Sequence, residues 1–259
     1  MAALNHIPKI SVITPNYNQG DFLEQTIQSV LDQNYPNLEY IIIDGGSTDQ
    51  SVEIIKKYED SLSYWVSEPD MGMYHAINKG FDLCTGDIMC WINSDDILWE
   101  GSLAYLAKIM GPEMNKVEWL QGYPTVIDEE GKILYRRDPV AAKKKFYNLE
   151  FKKDRAFIQQ ESTFWTRSLW ERSKARLNTE YTLAADFDLW MQFFHYSRLF
   201  CSRRNLGAFR KRKGQKSQDQ EAYLQEAIAS VDNHRKRLTF MKLLRLRFSG
   251  ADEPIYWID

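Results

Sequence analysis

Apolar and polar positions along the first hundred residues follow two alternating periods. Ile10–Thr14 is a short β-branched run closed by Pro15, and Leu38–Ile43, Leu62–Val66 and Asp87–Ile92 repeat the pattern. Apolar runs of this length, bounded by turn residues, predict buried strands. Between them the apolar residues return at helical spacing. Phe22, Leu23, Ile27, Val30 and Leu31 share one face of a helix predicted over Asp21–Gln33. Further helices are predicted around Val52–Tyr58, Tyr74–Leu83 and Ser102–Met110. Asp21 suits the N-cap of the first helix, and Ser47 with Gln50 has the spacing of a capping box ahead of the second. Strands alternating with helices imply a parallel sheet covered on both faces and joined by right-handed crossovers.

Beyond about residue 112 the rhythm changes. Val117–Ile127 and Lys132–Arg136 flank the turn sequence Asp128-Glu129-Glu130-Gly131 and predict a β-hairpin. Phe157–Trp165 reads as a further strand, and Asp186–Tyr196 as a strongly apolar helix. A long helical pattern from Gln218 to Phe248 closes the chain, with an interruption expected near Asp232-Asn233. The expected organisation is an α/β domain over residues 1–217, with halves of about 1–112 and 113–217, followed by a helical tail over 218–259.

Composition narrows the class. The chain has 259 residues, 44% of them hydrophobic and 27% charged, with 33 Lys+Arg against 36 Asp+Glu. That balance fits a folded domain and argues against nucleic-acid binding, which favours clearly basic chains. The three cysteines, Cys84, Cys90 and Cys201, are odd in number and scattered. They read as reduced thiols of a cytoplasmic protein. No apolar run approaches the roughly 18 residues that span a bilayer, and residues 1–9 lack the features of a secretion signal.

Candidate chemistry gathers at the predicted strand ends. Ligands of open α/β sheets bind outside the carboxyl ends of the strands. Pro15-Asn16-Tyr17-Asn18, Asp44, Glu68–Asp70 and Asp95-Asp96 all fall there. Taken singly, Asp44 also suits a turn and Asp95 or Asp96 a helix N-cap. Neither a G-x-G-x-x-G segment after the first strand nor a G-x-x-x-x-G-K-[ST] loop occurs, so the common dinucleotide and ATP cradles are missing. Adjacent carboxylates suit Mg²⁺ or Mn²⁺ that shares a substrate diphosphate.

Three ordered segments carry a family resemblance: Ile10-Ser-Val-Ile-Thr-Pro-Asn-Tyr-Asn18, Glu39-Tyr-Ile-Ile-Ile-Asp-Gly-Gly-Ser-Thr-Asp49 and Trp91-Ile-Asn-Ser-Asp-Asp96. They resemble the family 2 glycosyltransferases, inverting enzymes of the Rossmann-like GT-A fold. The loop Glu68–Gly80 resembles a subgroup of that family found in bacterial surface-polysaccharide assembly. The resemblance implies that Pro15, Tyr17, Asn18, Asp44, Asp70, Gly72, Ser94 and Asp95 bind the nucleotide. It also implies that Asp95 and Asp96 hold a divalent metal, Mn²⁺ or Mg²⁺. Asn93 stands at the family's first acidic position.

Ala184-Ala-Asp-Phe-Asp-Leu-Trp190 resembles the family segment whose first Asp is the catalytic base, which places that role on Asp186. The plain alternative is a helix cap. A position at a helix N-terminus would keep Asp186 ionised, and Asp188 would point elsewhere. Gln159–Trp165 resembles the strand facing the acceptor, making Gln160 a candidate contact. Phe209–Ser217 resembles a loop that often carries His where this chain has Arg212, which suggests Arg210 and Arg212 as phosphate or acceptor contacts. The expected partners are a nucleotide-diphosphate sugar donor and a saccharide acceptor, lipid-linked in one version. Residues 234–248 are basic and amphipathic, which suits the inner face of an anionic membrane or packing on protein. The competing functions are a non-catalytic nucleotide-sugar-binding subunit and a nucleotidyltransferase.

Overall fold

Branched apolar side chains on both faces of the first two strands require cover on both sides, and the fold supplies it. The computed structural model describes residues 7–111, 116–238 and 255–258. The first part of the chain runs β1 (Ile10–Asn16), α1 (Gly20–Leu31), β2 (Leu38–Asp44), α2 (Ser51–Lys57), β3 (Tyr64–Ser67), α3 (Met73–Leu83), β4 (Ile88–Trp91), β5 (Ile97–Leu98) and α4 (Ser102–Met110). There follow β6 (Trp119–Gln121), β7 (Thr125–Ile127), β8 (Ile133–Arg136), α5 (Lys143–Tyr147), α6 (Phe151–Asp154), β9 (Thr163–Thr166) and α7 (Arg167–Ser173). The chain then runs through α8 (Ala185–Phe193), β10 (Phe200–Cys201), β11 (Gly207–Arg210), α9 (Gln220–Lys236) and β12 (Tyr256–Trp257).

Eight strands form the main sheet in the order β12-β10-β6-β9-β4-β1-β2-β3. The pairs among β3, β2, β1 and β4 are all parallel, as are β6–β10 and β10–β12. β9 alone runs antiparallel to both of its neighbours. The central, mostly parallel sheet expected from the sequence is therefore present. A second sheet, β5-β11-β7-β8, stands beside it.

Alternation along the strands sorts side chains between two cores. Ile10, Val12, Tyr40 and Ile42 join Leu23, Ile27, Ile55 and Leu106 on the face covered by α1, α2 and α4. Ile13, Ile41 and Ile43 join Ile77, Phe81, Trp190 and Ala227 on the face covered by α3, α8 and α9. The second core contains a tryptophan stack, with Trp190 lying 6.0 Å from Trp91 and 5.6 Å from Trp119 between ring centroids. Cys84, Cys90 and Cys201 are all buried and free.

Several local expectations are corrected. Asp21 is not the N-cap of α1. Gln19 takes that position, and the Asp49 carboxylate accepts the Gly20 N–H at 2.8 Å. Ser47 does not form a capping box either, because its hydroxyl is drawn to Asp44 at 2.5 Å. The predicted strand over Val117–Ile127 is two strands in two sheets: β6 enters the main sheet, and β7 forms the hairpin with β8. The Phe157–Trp165 strand is shorter, because a 3-10 turn occupies Gln160–Ser162 ahead of β9. α9 passes through Asp232-Asn233 without interruption and ends at Lys236. Of the expected basic helix over 234–248, residues 239–248 lie outside the described residues.

Candidate active site

β1 and β4 are neighbours in the sheet, but their crossovers leave in opposite directions, so a crevice opens beyond their carboxyl ends. A pocket of about 810 Å³ occupies it. Pro15, Tyr17, Gly45, Gly46, Asp70 and Gly72 line one end, Ser94, Asp95 and Arg212 the middle, and Glu161, Asp186 and Tyr223 the remainder. Gln160 and one edge of Asp96 also reach its wall. Side chains more than a hundred residues apart thus share one cavity.

At the first end, Asp44 shapes the wall without facing the cavity. Its carboxylate is fully buried and accepts from Asn16 Nδ2 (2.6 Å), Ser47 Oγ (2.5 Å), Ser67 Oγ (2.6 Å) and the Ser47 and Gly46 amides (2.9 and 3.1 Å). Burial pushes its pKa up, but the bonds from Ser47, Ser67 and Asn16 win and hold it below the usual carboxylate range. Asp44, expected to touch the nucleotide, here organises the Gly45-Gly46 backbone that lines the cavity beside it. Gly46 has φ +79°, and a Cβ on Gly45 would press to 3.0 Å against the Asp70 carboxylate. Glycine at both positions lets the loop lie flat. Asn18 is likewise outside the cavity, where its side-chain oxygen accepts the Thr48 N–H at 2.8 Å. Tyr17 is 60% exposed at the rim. Asp70 accepts the Gly72 N–H at 2.7 Å, and Gly72, at φ +113°, starts α3.

In the middle the two adjacent carboxyls separate. Asp95 turns toward the cavity, where Arg212 Nε donates to its Oδ2 at 2.8 Å and Gln215 Nε2 at 3.3 Å. Asp96 turns inward and is fully buried. It accepts the Arg210 N–H at 2.7 Å and Asn93 Nδ2 at 3.0 Å. Burial, reinforced by the nearby charges of Glu161 and Asp95, pushes its carboxyl well above the ordinary value. Arg210 is corrected too. Its guanidinium is fully buried, donating to the carbonyls of Asp95, Asp128 and Glu129 and to the Gln25 side chain, so it braces the loop and offers nothing to a ligand. Arg212 does line the cavity, held by Asp95 and by Gln19 at 2.8 Å. Gln160 reaches the wall with both ends of its amide engaged, to the Trp91 carbonyl at 2.7 Å and Asn93 at 3.2 Å.

Asp186 occupies the first turn of α8. It does not cap that helix. The N–H groups of Leu183 and Ala184 and the Thr182 amide are taken by Glu226 of α9, at 2.8–2.9 Å. Asp186 is instead gripped by the Tyr223 hydroxyl, 3.2 Å from each carboxylate oxygen. Burial raises its pKa to about 7, against the opposing pull of the Phe187 amide and Tyr223. The helix-terminus argument for a low value is therefore overturned: desolvation outweighs the dipole. Asp188 faces away, as expected, and accepts from Ser230 (2.6 Å), His234 (3.1 Å) and Gln192 (2.9 Å).

Sequence reasoning missed Tyr223, Glu226 and Glu161. The first two lie on α9, more than thirty residues from Asp186, and no local spacing links them to it. Glu161 is only 7% exposed yet lines the cavity, and burial raises its pKa to about 7. That residue sat inside the quoted segment Gln159–Trp165, where a charged side chain amid strand residues was the available signal.

The donor set tests for a metal. Among the described residues no three His, Cys, Asp or Glu side chains form a cluster able to hold one. Asp95 has one oxygen without a protein partner and faces the cavity. A single carboxylate plus substrate phosphates is an arrangement that Mg²⁺ and Mn²⁺ accept. The residues fit an ion shared with a diphosphate, with Asp95 as the protein ligand and Asp96 behind it.

Comparison with known proteins agrees with this geometry. The family model described as Glycosyl transferase family 2 matches residues 11–177, more than half of the chain. An uncharacterized glycosyltransferase of Mycobacterium tuberculosis is 42% identical over 90 residues, 34% of each chain, so the match spans about a third of that relative. A putative teichuronic acid biosynthesis glycosyltransferase of Bacillus subtilis, TuaG, is 39% identical over 95 residues, 36% of this chain and 38% of its own. Among solved structures, S. aureus TarS in complex with UDP-GlcNAc aligns over 94% of this chain and 73% of its own, with TM-score 0.71 and 17% identity. The mannosyltransferase PcManGT of Pyrobaculum calidifontis, in complex with GDP-Man and Mn²⁺, aligns over 95% and 80%, with TM-score 0.60 and 18% identity. With its GT-A architecture and this family match, the chain belongs to glycosyl transferase family 2.

Proposed function

We propose that this chain transfers a sugar from a nucleotide-diphosphate donor to a hydroxyl of a saccharide acceptor, with inversion at the anomeric carbon. The observation that carries the proposal is that Asp95 with Arg212, and Asp186 with Tyr223, open onto one cavity. The nucleotide lies against Pro15, Tyr17 and the Gly45-Gly46 backbone, and its diphosphate reaches Ser94, Asp95 and Arg212. When bound at Asp95, Mn²⁺ or Mg²⁺ supplies Lewis-acid stabilisation of the departing diphosphate. Arg212 adds a planar guanidinium for the same oxygens.

Asp186 takes the proton from the acceptor hydroxyl as that oxygen bonds to the anomeric carbon and the bond to the diphosphate breaks. A pKa near 7 leaves it ionised enough at neutral pH to act and basic enough to hold the proton. Trp91, which lines the cavity, is held by its stacking on Trp190. TuaG's named role in teichuronic acid biosynthesis supports a surface polysaccharide as the acceptor class. No helix among the described residues is long and apolar enough to cross a membrane. We place the reaction in the cytoplasm, where nucleotide sugars are available and the three buried cysteines stay reduced, with a lipid-linked acceptor at the membrane's inner face.

Incubation with UDP-GlcNAc, UDP-glucose and GDP-mannose, with Mn²⁺ and a panel of saccharide acceptors, tests the proposal. Acceptor-dependent release of nucleoside diphosphate is the expected result. In a parallel incubation with a nucleoside triphosphate and a sugar 1-phosphate, release of pyrophosphate would instead indicate a nucleotidyltransferase, and tight nucleotide-sugar binding with neither product a non-catalytic subunit.

A further inference from the structure

The carboxyl of Glu161 has no assigned part in the reaction described above. It sits in the 3-10 turn Gln160–Ser162, 7% exposed, on the cavity wall. Among the described residues no other residue donates a hydrogen bond to its carboxyl and no cation forms an ion pair with it; Arg137 acts on it only through its field, and burial outweighs that pull. A buried polar group without a partner is costly, and in a pocket the usual resolution is a ligand.

The turn that carries Glu161 is rigid, so the side chain has little freedom to find another partner. Gln160 is pinned to the Trp91 carbonyl at 2.7 Å, and the Thr163 hydroxyl to the Gln159 carbonyl at 2.7 Å. The Gly122 N–H holds the Ser162 carbonyl at 2.7 Å. β11 packs so closely behind the turn that a Cβ on Gly207 would collide with the Glu161 carbonyl. Glu161 also lies within electrostatic reach of Asp95, at the diphosphate end, and of Asp186, at the acceptor end. The group between those two ends, on the reading proposed above, is the sugar being transferred.

We propose that Glu161 is a specificity-determining residue that hydrogen-bonds hydroxyl groups of the transferred sugar. A carboxyl accepts from two neighbouring hydroxyls when ionised and donates to one when protonated, so it suits a polyhydroxylated ring and discriminates against a deoxy analogue. This inference rests on the glycosyltransferase reading, and its test separates the two.

Calorimetric binding is measured for UDP against UDP-GlcNAc and UDP-glucose, and for GDP against GDP-mannose, each with Mn²⁺, on the wild type, Glu161→Ala and Glu161→Gln. Wild-type protein that binds none of these nucleotides would overturn the functional reading and this inference with it. Where the wild type binds, Glu161→Ala is expected to weaken the nucleotide sugar about tenfold or more while leaving the matching nucleoside diphosphate unchanged. Glu161→Gln, which keeps the shape and half of the hydrogen-bonding capacity, is expected to lose less. Equal loss for sugar-bearing and sugar-free ligands would assign Glu161 a structural role. No loss in either variant would likewise overturn the inference.

Discussion

Asp44 is fully buried at the end of β2 and Asp186 is half-buried in the first turn of α8, yet their surroundings drive the two carboxyls in opposite directions. Asp186 meets too few donors to offset desolvation, so its pKa rises to about 7; Asp44 meets five and stays low. Only ionised Asp186 accepts a proton, so kcat/KM is expected to fall as pH drops through about 7. Tyr223→Phe removes the bond that favours the carboxylate, and its acid limb is expected to move to higher pH while donor binding persists. A pH–rate profile of the two proteins checks this. Asp44→Asn leaves several donors without an acceptor and is expected to cost about 2–3 kcal/mol at neutral pH, read by urea unfolding. A native pKa held below the unfolded value stabilises the fold in full above about pH 4. The difference between wild type and variant should therefore shrink as pH falls further, through the native pKa. Sequence reasoning singled out both aspartates but not the donor shell of Asp44, because an Asp that meets a ligand and an Asp that builds the loop under it are the same letter. The difference lies in Asn16, Ser47 and Ser67 around it.

Among the elements, α8 and α9 form the unit that presents Asp186, the proposed base. Glu226 pins the Thr182–Ala184 turn that leads into α8, and Asp188, Ser230 and His234 tie the two helices together further along. Glu226→Ala is expected to lower stability by about 1–3 kcal/mol. It should also reduce kcat by roughly tenfold or more, with a smaller change in donor KM, because Asp186 loses its placement while the nucleotide end is untouched. Thermal unfolding together with steady-state kinetics checks both parts. β1 to β4 were legible because their apolar runs are bounded by turn residues. β6 and β7 were read as one strand because Gly122-Tyr123-Pro124 between them is too short to register as a change of sheet. Tyr223 was not legible at all, since helical periodicity says which residues share a face and not what that face meets.

Over the whole molecule, the parallel order β3-β2-β1-β4 opens the crevice, and antiparallel β9 swings the second half of the chain across its far side. This arrangement brings Asp95 and Asp186 to one cavity. The central claim is that these carboxyls act on the two sides of a single transferred sugar. The most direct test measures donor binding and nucleoside diphosphate release side by side for the wild type and Asp186→Asn. The account predicts donor affinity within about threefold of wild type and acceptor-dependent release reduced by about 100-fold or more. Release at the wild-type rate from Asp186→Asn would contradict it.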